Sequence, residues 1–194
     1  KYSIEWNEHL SKYDGLKTNQ KLEMLTKEKG LPIELYKQVW DEKQRLTLKK
    51  LSDLKPSPQL QVCISSLVDQ RYKIACCSNS IRKTVLTVLS KLGIIEYFDL
   101  ILSNEDVKNS KPSPDPYLLA AKTIGVDISK CLVFEDSLTG VESGLTAGAQ
   151  VIGIPHLVEM QSHSNLRLIN SLAEIDLAQI LDWYPYLSSK VRNR

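Results

Sequence analysis

Apolar positions along the chain fall into two regimes. Up to about residue 54 they recur at helical spacings, with Leu22, Leu25, Leu35, Val39, Trp40, Leu46 and Leu51 set among lysine, glutamate and glutamine, which favour helices. Polar breaks at residues 13–19 and 30–32 divide this stretch, so the pattern predicts a small antiparallel helical bundle without strands. The run Lys55-Pro56-Ser57-Pro58 ends the periodicity. Prolines fix φ and remove a donor, so a stiff boundary is expected there, between a helical domain over 1–54 and a second domain over 55–194.

Beyond that boundary, short apolar runs alternate with amphipathic stretches. Leu60, Cys63, Ile64, Leu67 and Val68 mark a helix, residues 73–77 a strand, and Ile81, Val85, Leu86, Val88, Leu89 and Leu92 a helix stopped by Gly93. Residues 98–102 read as a strand and 103–110 as a polar loop. In the following run, Asp115 is a candidate N-cap and Pro116 a first helical residue. The apolar run 131–134 is too short for a helix and reads as a buried strand. Ser137 then offers an N-cap, Gly148 a stop, and 150–154 a second buried strand. After a polar tail from His156, Leu172, Ile175, Leu177, Ile180 and Leu181 predict one more helix, or a short strand and helix. The alternation predicts an α/β fold, a parallel Rossmann-like sheet with helices on both faces.

Composition adds exclusions. With 42% hydrophobic and 25% charged residues the chain is an ordinary globular one, and a net charge of +2 argues against nucleic acid or an acidic membrane surface as partner. No apolar run reaches membrane-spanning length and the first residues lack a signal peptide's apolar centre. The four cysteines, Cys63, Cys76, Cys77 and Cys131, lie in apolar segments without metal-like spacing and read as reduced core residues of a cytoplasmic protein.

Three segments carry candidate chemistry. Glu135-Asp136 closes the strand 131–134 at its carboxyl end, where open α/β sheets bind ligands. Adjacent carboxylates repel unless a cation shares them, and a hard divalent ion such as Mg²⁺ suits oxygen donors; alone, such a pair is more often a solvated loop end. Ser78-Asn79-Ser80 lies between a strand and a helix, offering a hydroxyl, an amide and free N–H groups to phosphate oxygens, although Ser80 can equally cap the helix and Ser78 bond locally. Lys111 sits in a proline-stiffened loop that can aim its ammonium at one place; the bland reading is a solvated lysine.

In this order, IACCSNS (residues 74–80), KPSPDPY (111–117) and VFEDSLTGVESGLTAGAQVIGI (133–154) resemble the haloacid dehalogenase-like hydrolases, in the branch holding β-phosphoglucomutase, phosphoglycolate phosphatase and small sugar phosphatases. The helical residues YDGLKTNQKLEML (13–25) look like that family's cap. The resemblance implies a Mg²⁺-dependent phosphatase acting on a small phosphorylated metabolite, such as a sugar phosphate, through an aspartyl-phosphate. A phosphosugar mutase and a non-catalytic phosphate-ligand-binding relative are the alternatives. It implies that Ser78, with Asn79 and Ser80, binds the phosphoryl group, and that Lys111 neutralises that group and steadies the nucleophile, so that Ser78 and Lys111 are the catalytic candidates. Glu135 and Asp136 would hold Mg²⁺, Asp136 most directly. Residues 15–19 take the place of the family's substrate loop, with Lys17, Thr18 and Asn19 as candidates; the arginine often found there is absent. The mutase-type cap lysine has no secure match, with Lys43, Arg45, Lys49 and Lys50 in the corresponding helices.

The family's nucleophile is the first Asp of an Asp-x-Asp pair ending an apolar strand, and these 194 residues contain no such pair. Asp14-Gly15 follows a polar run and is a decoy. The expectation is that a strand-and-helix unit, on the order of 30 residues, belongs ahead of Lys1. Its strand would lie between the one ending at Cys77 and the one ending at Phe134, so the sheet should either show a strand-wide slot there or close up into a distorted, less stable sheet; the slot is the favoured expectation. The 194-residue chain alone is expected to be inactive, and the protein a monomer.

Overall fold

The computed structural model describes residues 2–154, 163–170 and 177–187, so Leu172 and Ile175 lie outside the described residues. The first helix, α1 (Trp6–Glu8), continues as a π-helical turn over His9–Tyr13; α2 (Thr18–Lys29) and α3 (Tyr36–Ser52) follow. Gly30 ends α2 at φ 68, a conformation glycine adopts without steric cost, and its N–H returns to the Thr26 carbonyl at 3.1 Å. Tyr13, Leu22, Leu25 and Leu31 form a core private to these helices. Tyr13 is wholly buried and its hydroxyl donates to Glu28 at 3.0 Å. On α3 the expectation needs correcting: Val39 and Leu46 are exposed while Gln44 is buried.

At the expected boundary, Ser57 caps α4 (Pro58–Asp69), its hydroxyl accepting the Leu60 N–H at 3.4 Å. Parallel strands then alternate with helices. β1 (Ala75–Cys77) pairs with β2 (Leu100–Leu102), and β3 (Leu132–Glu135), β4 (Gln150–Gly153) and β5 (Leu166–Leu168) form a second ladder in that order. β1 and β3 share no ladder, so the sheet is in two pieces, parted where the slot was expected. Helices α5 (Arg82–Leu92), α6 (Asp115–Ile124), α7 (Leu138–Ala147) and α8 (Leu177–Trp183) complete the α-helices among the described residues. The N-cap of α6 is Pro114, one residue earlier than read from the sequence, which places Asp115 inside the first turn.

Apolar layers bind the pieces. Ile64, Val85, Leu89 and Ile94 pack with Cys76 on one face of the β1–β2 ladder. Cys77 packs on the other with Tyr117, Val133, Val141 and Val151, the alternation a strand imposes on adjacent residues. Tyr117 lies on α6, which touches both β1 and α7 and so spans the two ladders. On the far face, Ile152 packs with Ile180 and Tyr184. The Tyr72 hydroxyl, ahead of β1, donates to the Leu187 carbonyl at 3.0 Å, a second tie between the halves. Cys63 is exposed on α4, which corrects its reading as a core residue; Cys76, Cys77 and Cys131 are half-buried, and none of the four is in a disulfide.

Asp99 fastens the start of the β1–β2 ladder. Lys73 donates to it at 2.8 Å and the Ile74 N–H at 2.9 Å, and these two bonds, in that order, hold its carboxyl below the usual range. A depressed carboxyl stabilises the fold fully above its unfolded value of about 3.9 and loses that contribution as pH falls through the folded value. Asp99→Asn should therefore lower stability by about 1 kcal/mol at pH 7, with the difference from wild type fading below about pH 4. Urea melts at both pH values check it; an equal deficit at both would refute the linkage.

Candidate active site at the mouth of the sheet

Parallel strands point their carboxyl ends the same way, and here those ends carry the candidate residues. Glu135 ends β3, and its burial beside Lys111 is enforced from several sides. The Lys111 ammonium, itself 6% exposed, donates to the Cys77 carbonyl at 2.8 Å and to Glu135 Oε1. The Tyr117 hydroxyl donates to the same oxygen, and the Ser137 hydroxyl to Oε2 at 3.3 Å. The ammonium also lies 4.9 Å from the Tyr117 ring centroid, within cation–π range. A buried carboxylate is thus paired and hydrogen-bonded on both oxygens, as burial of charge requires.

Helix starts shape the rest of the mouth. Ser137 caps α7 as its sequence position suggests, accepting the Gly140 N–H at 3.2 Å. A Cβ on Gly140 would lie 1.8 Å from Glu135 Oε2, so glycine is required for the carboxylate to sit where it does. Ser143, wholly buried on α7, donates to the Ser113 carbonyl at 2.6 Å and ties the helix to the Lys111 loop. Asp136 is exposed beside this cluster.

Ser78 follows β1, its N–H on the Leu102 carbonyl at 2.9 Å and its hydroxyl accepting the Ser80 N–H at 3.1 Å. Ser80 does not cap α5: the N-cap is Ile81, with no side-chain bond. Asn79 is fully engaged. Its Nδ2 donates to the carbonyls of Gly15 at 2.6 Å and Lys111 at 2.9 Å, and its Oδ1 accepts the Lys111 N–H at 3.1 Å. Its carbonyl accepts Asn104 Nδ2 at 2.9 Å. The turn at Gly15 therefore lies over the mouth, where a Cβ would meet Thr139 Oγ1 at 1.9 Å. Lys17 reaches the Asn104 carbonyl at 3.4 Å. Thr18 is half-buried and Asn19 exposed on the first turn of α2, at the rim.

The structure thus brings Asn79, Lys111 and Glu135 into one bonded cluster, with Ser78 and Asp136 next to it in the chain and Lys17 at its edge. Three more residues shape the cluster without a role expected from sequence: Tyr117, whose available signal is an aromatic hydroxyl on the first turn of the helix after Lys111, Ser137 beyond its cap, and Gly140. Cys77 stands close by, but burial pushes its thiol up to about 12, so it stays protonated at neutral pH and is no nucleophile. Burial, then Glu135, pushes the Tyr117 phenol up as well, which keeps it a donor.

A family model described as "Haloacid dehalogenase-like hydrolase" matches residues 1–154. YhcW of Bacillus subtilis is 33% identical over 136 residues, 69% of this chain and 62% of that protein. The "Phosphorylated carbohydrates phosphatase" of Thermotoga maritima is 33% identical over 121 residues, 62% of this chain and 55% of that protein. The chain therefore spans less than two thirds of the length of these relatives. Among solved structures, a HAD hydrolase of family IA, variant 3, from Entamoeba histolytica superposes with a TM-score of 0.72 at 27% identity, covering 92% of this chain and 83% of that one.

Proposed function

This chain belongs to the haloacid dehalogenase-like hydrolase family, and on that premise we propose that the protein hydrolyses the phosphate ester of a small phosphorylated metabolite, such as a sugar phosphate. The observation that carries this reading is the placing of a buried lysine among the Ser78–Asn79 loop, Glu135 and Asp136 at one mouth. Phosphoryl transfer asks the protein for positioning and for positive charge around the equatorial oxygens. Lys111 supplies the charge, and the hydroxyl of Ser78 and the free N–H groups at the start of α5 supply donors. The Glu135–Tyr117 pair holds the ammonium in place.

The donors also bear on a metal. Mg²⁺ is commonly held by one or two carboxylates, with water and substrate oxygens completing its shell. The described residues gather no group of three His, Cys, Asp or Glu side chains on one point, and Glu135 Oε1 is already taken by Lys111 and Tyr117. The exposed Asp136 fits as the side-chain ligand, with Glu135 behind it. When bound, the ion would neutralise phosphoryl charge next to Lys111. In the active protein, Asp136→Ala should raise the Mg²⁺ concentration for half-maximal activity at least about tenfold. An unchanged Mg²⁺ titration would remove Asp136 from this role.

The aspartyl-phosphate step of this family needs an Asp-x-Asp pair that these 194 residues lack. The chain alone should accordingly be inert toward small phosphate esters, hexose phosphates and phosphoglycolate included. A version extended through upstream coding sequence that carries such a pair should turn them over with Mg²⁺. Free phosphate as product identifies hydrolysis, and an isomerised sugar phosphate identifies mutase chemistry. Robust turnover by the short chain would overturn this mechanism, and an inert extended chain would favour a phosphate-binding relative without catalysis.

A further inference from the structure

We propose that Asn79 is a latch that fixes the turn at Gly15 to the Lys111 loop, a positioning residue and not a phosphate ligand. The inference rests on hydrogen-bond geometry alone and stands whether or not the protein is a phosphatase. An asparagine side chain offers two N–H donors and one carbonyl acceptor. Here both donors go to backbone carbonyls of different segments, Gly15 at 2.6 Å and Lys111 at 2.9 Å, while the acceptor takes the Lys111 N–H at 3.1 Å. Two carbonyls on one end and an N–H on the other fix the orientation of the amide without ambiguity. Little is left over for a ligand.

The segments joined are far apart in sequence, 64 residues for Gly15 and 32 for Lys111. Gly15 is the turn at which the helical region meets the mouth, at φ +71 and with no room for a Cβ beside Thr139. Its carbonyl is thereby held by Asn79, while its Cα faces Thr139 and Ser137 at the α7 start. The second tie, Lys17 to the Asn104 carbonyl at 3.4 Å, runs through Asn104, which itself donates to Asn79. The first link runs through the Asn79 amide itself, and the second ends on Asn104, which is held to the backbone carbonyls of Asn79 and Ser80. The latch joins the position of the turn to that of Lys111: the turn cannot lift without breaking a bond of the amide that also holds the lysine's backbone.

Substitution can separate the two halves of this function. Asn79→Asp keeps an oxygen for the Lys111 N–H but removes both donors; Asn79→Ala removes everything. Hydrogen–deuterium exchange on the full 194-residue chain reads both. In Asn79→Asp, amides at residues 14–17 should exchange about tenfold faster, the effect of losing roughly 1.4 kcal/mol, while the Lys111 amide stays protected. In Asn79→Ala both segments should speed up, with the Ile152 amide in β4 unchanged. Wild-type exchange at 14–17 in both variants overturns the latch, as does equal acceleration at Ile152, which would make Asn79 a general stabiliser. Should Asn79→Ala fail to fold, the Asp variant alone decides between these outcomes.

Discussion

Lys111→Met should destabilise the fold by about 3–5 kcal/mol, the magnitude of removing one partner from a buried ion pair. The size follows from what remains. Glu135 is 7% exposed and would keep the Tyr117 and Ser137 bonds but lose its cation, and an unpaired buried charge is costlier than a lost hydrogen bond. The Cys77 carbonyl would lose its donor too. Lys111→Met combined with Glu135→Gln removes both charges and should recover a large part of the loss, since a buried pair taken out whole is often near neutral. Urea denaturation of the four-member cycle measures this. A single variant as stable as wild type would mean that the pair does not hold the mouth together.

Gly140→Ala should cost about 3 kcal/mol, against the usual direction of that change. Inside a helix, alanine exceeds glycine by about 1 kcal/mol. Here the new methyl would lie 1.8 Å from Glu135 Oε2 and 2.0 Å from its Cδ, so the carboxylate must leave the oxygen position shared by Lys111 and Tyr117. Once Glu135 is alanine the obstacle is gone, and Gly140→Ala should then be neutral or slightly stabilising. Thermal melts of both pairs test the reversal. A stable Gly140→Ala single variant would show that Glu135 has another place to sit.

What could be read from the chain beforehand was what local chemistry decides. Ser137 as a cap, Gly93 and Gly148 as stops, and the parallel strands all follow from propensity and period. The same reading singled out Glu135 at a strand end and Lys111 in a proline-stiffened loop, which the structure brings into contact. It could not see where side chains spend their bonds. An amide beside a hydroxyl ahead of a helix suits phosphate oxygens, and only tertiary contact with Gly15 shows that of Asn79 occupied. The Tyr117 hydroxyl meets Glu135 across 18 residues of sequence, a distance no local pattern reports. Cys63 and Val39 sit at apolar spacings yet are exposed, since periodicity says which face a residue shares and not how far a neighbouring helix extends over it.

The parting of the sheet into two ladders changes what holds the molecule together. Within each ladder, neighbouring strands are joined by backbone bonds that no side-chain substitution removes. Between Cys77 and Glu135 the joint is instead an ammonium, a carboxylate and a phenol, backed by α6. The groups suited to the chemistry are therefore also the rivets of the two halves. In the 194 residues taken alone, cooperativity should be weakest along this line, so that the halves can come apart as separate foldons before either melts, and a strand paired into the gap should join them.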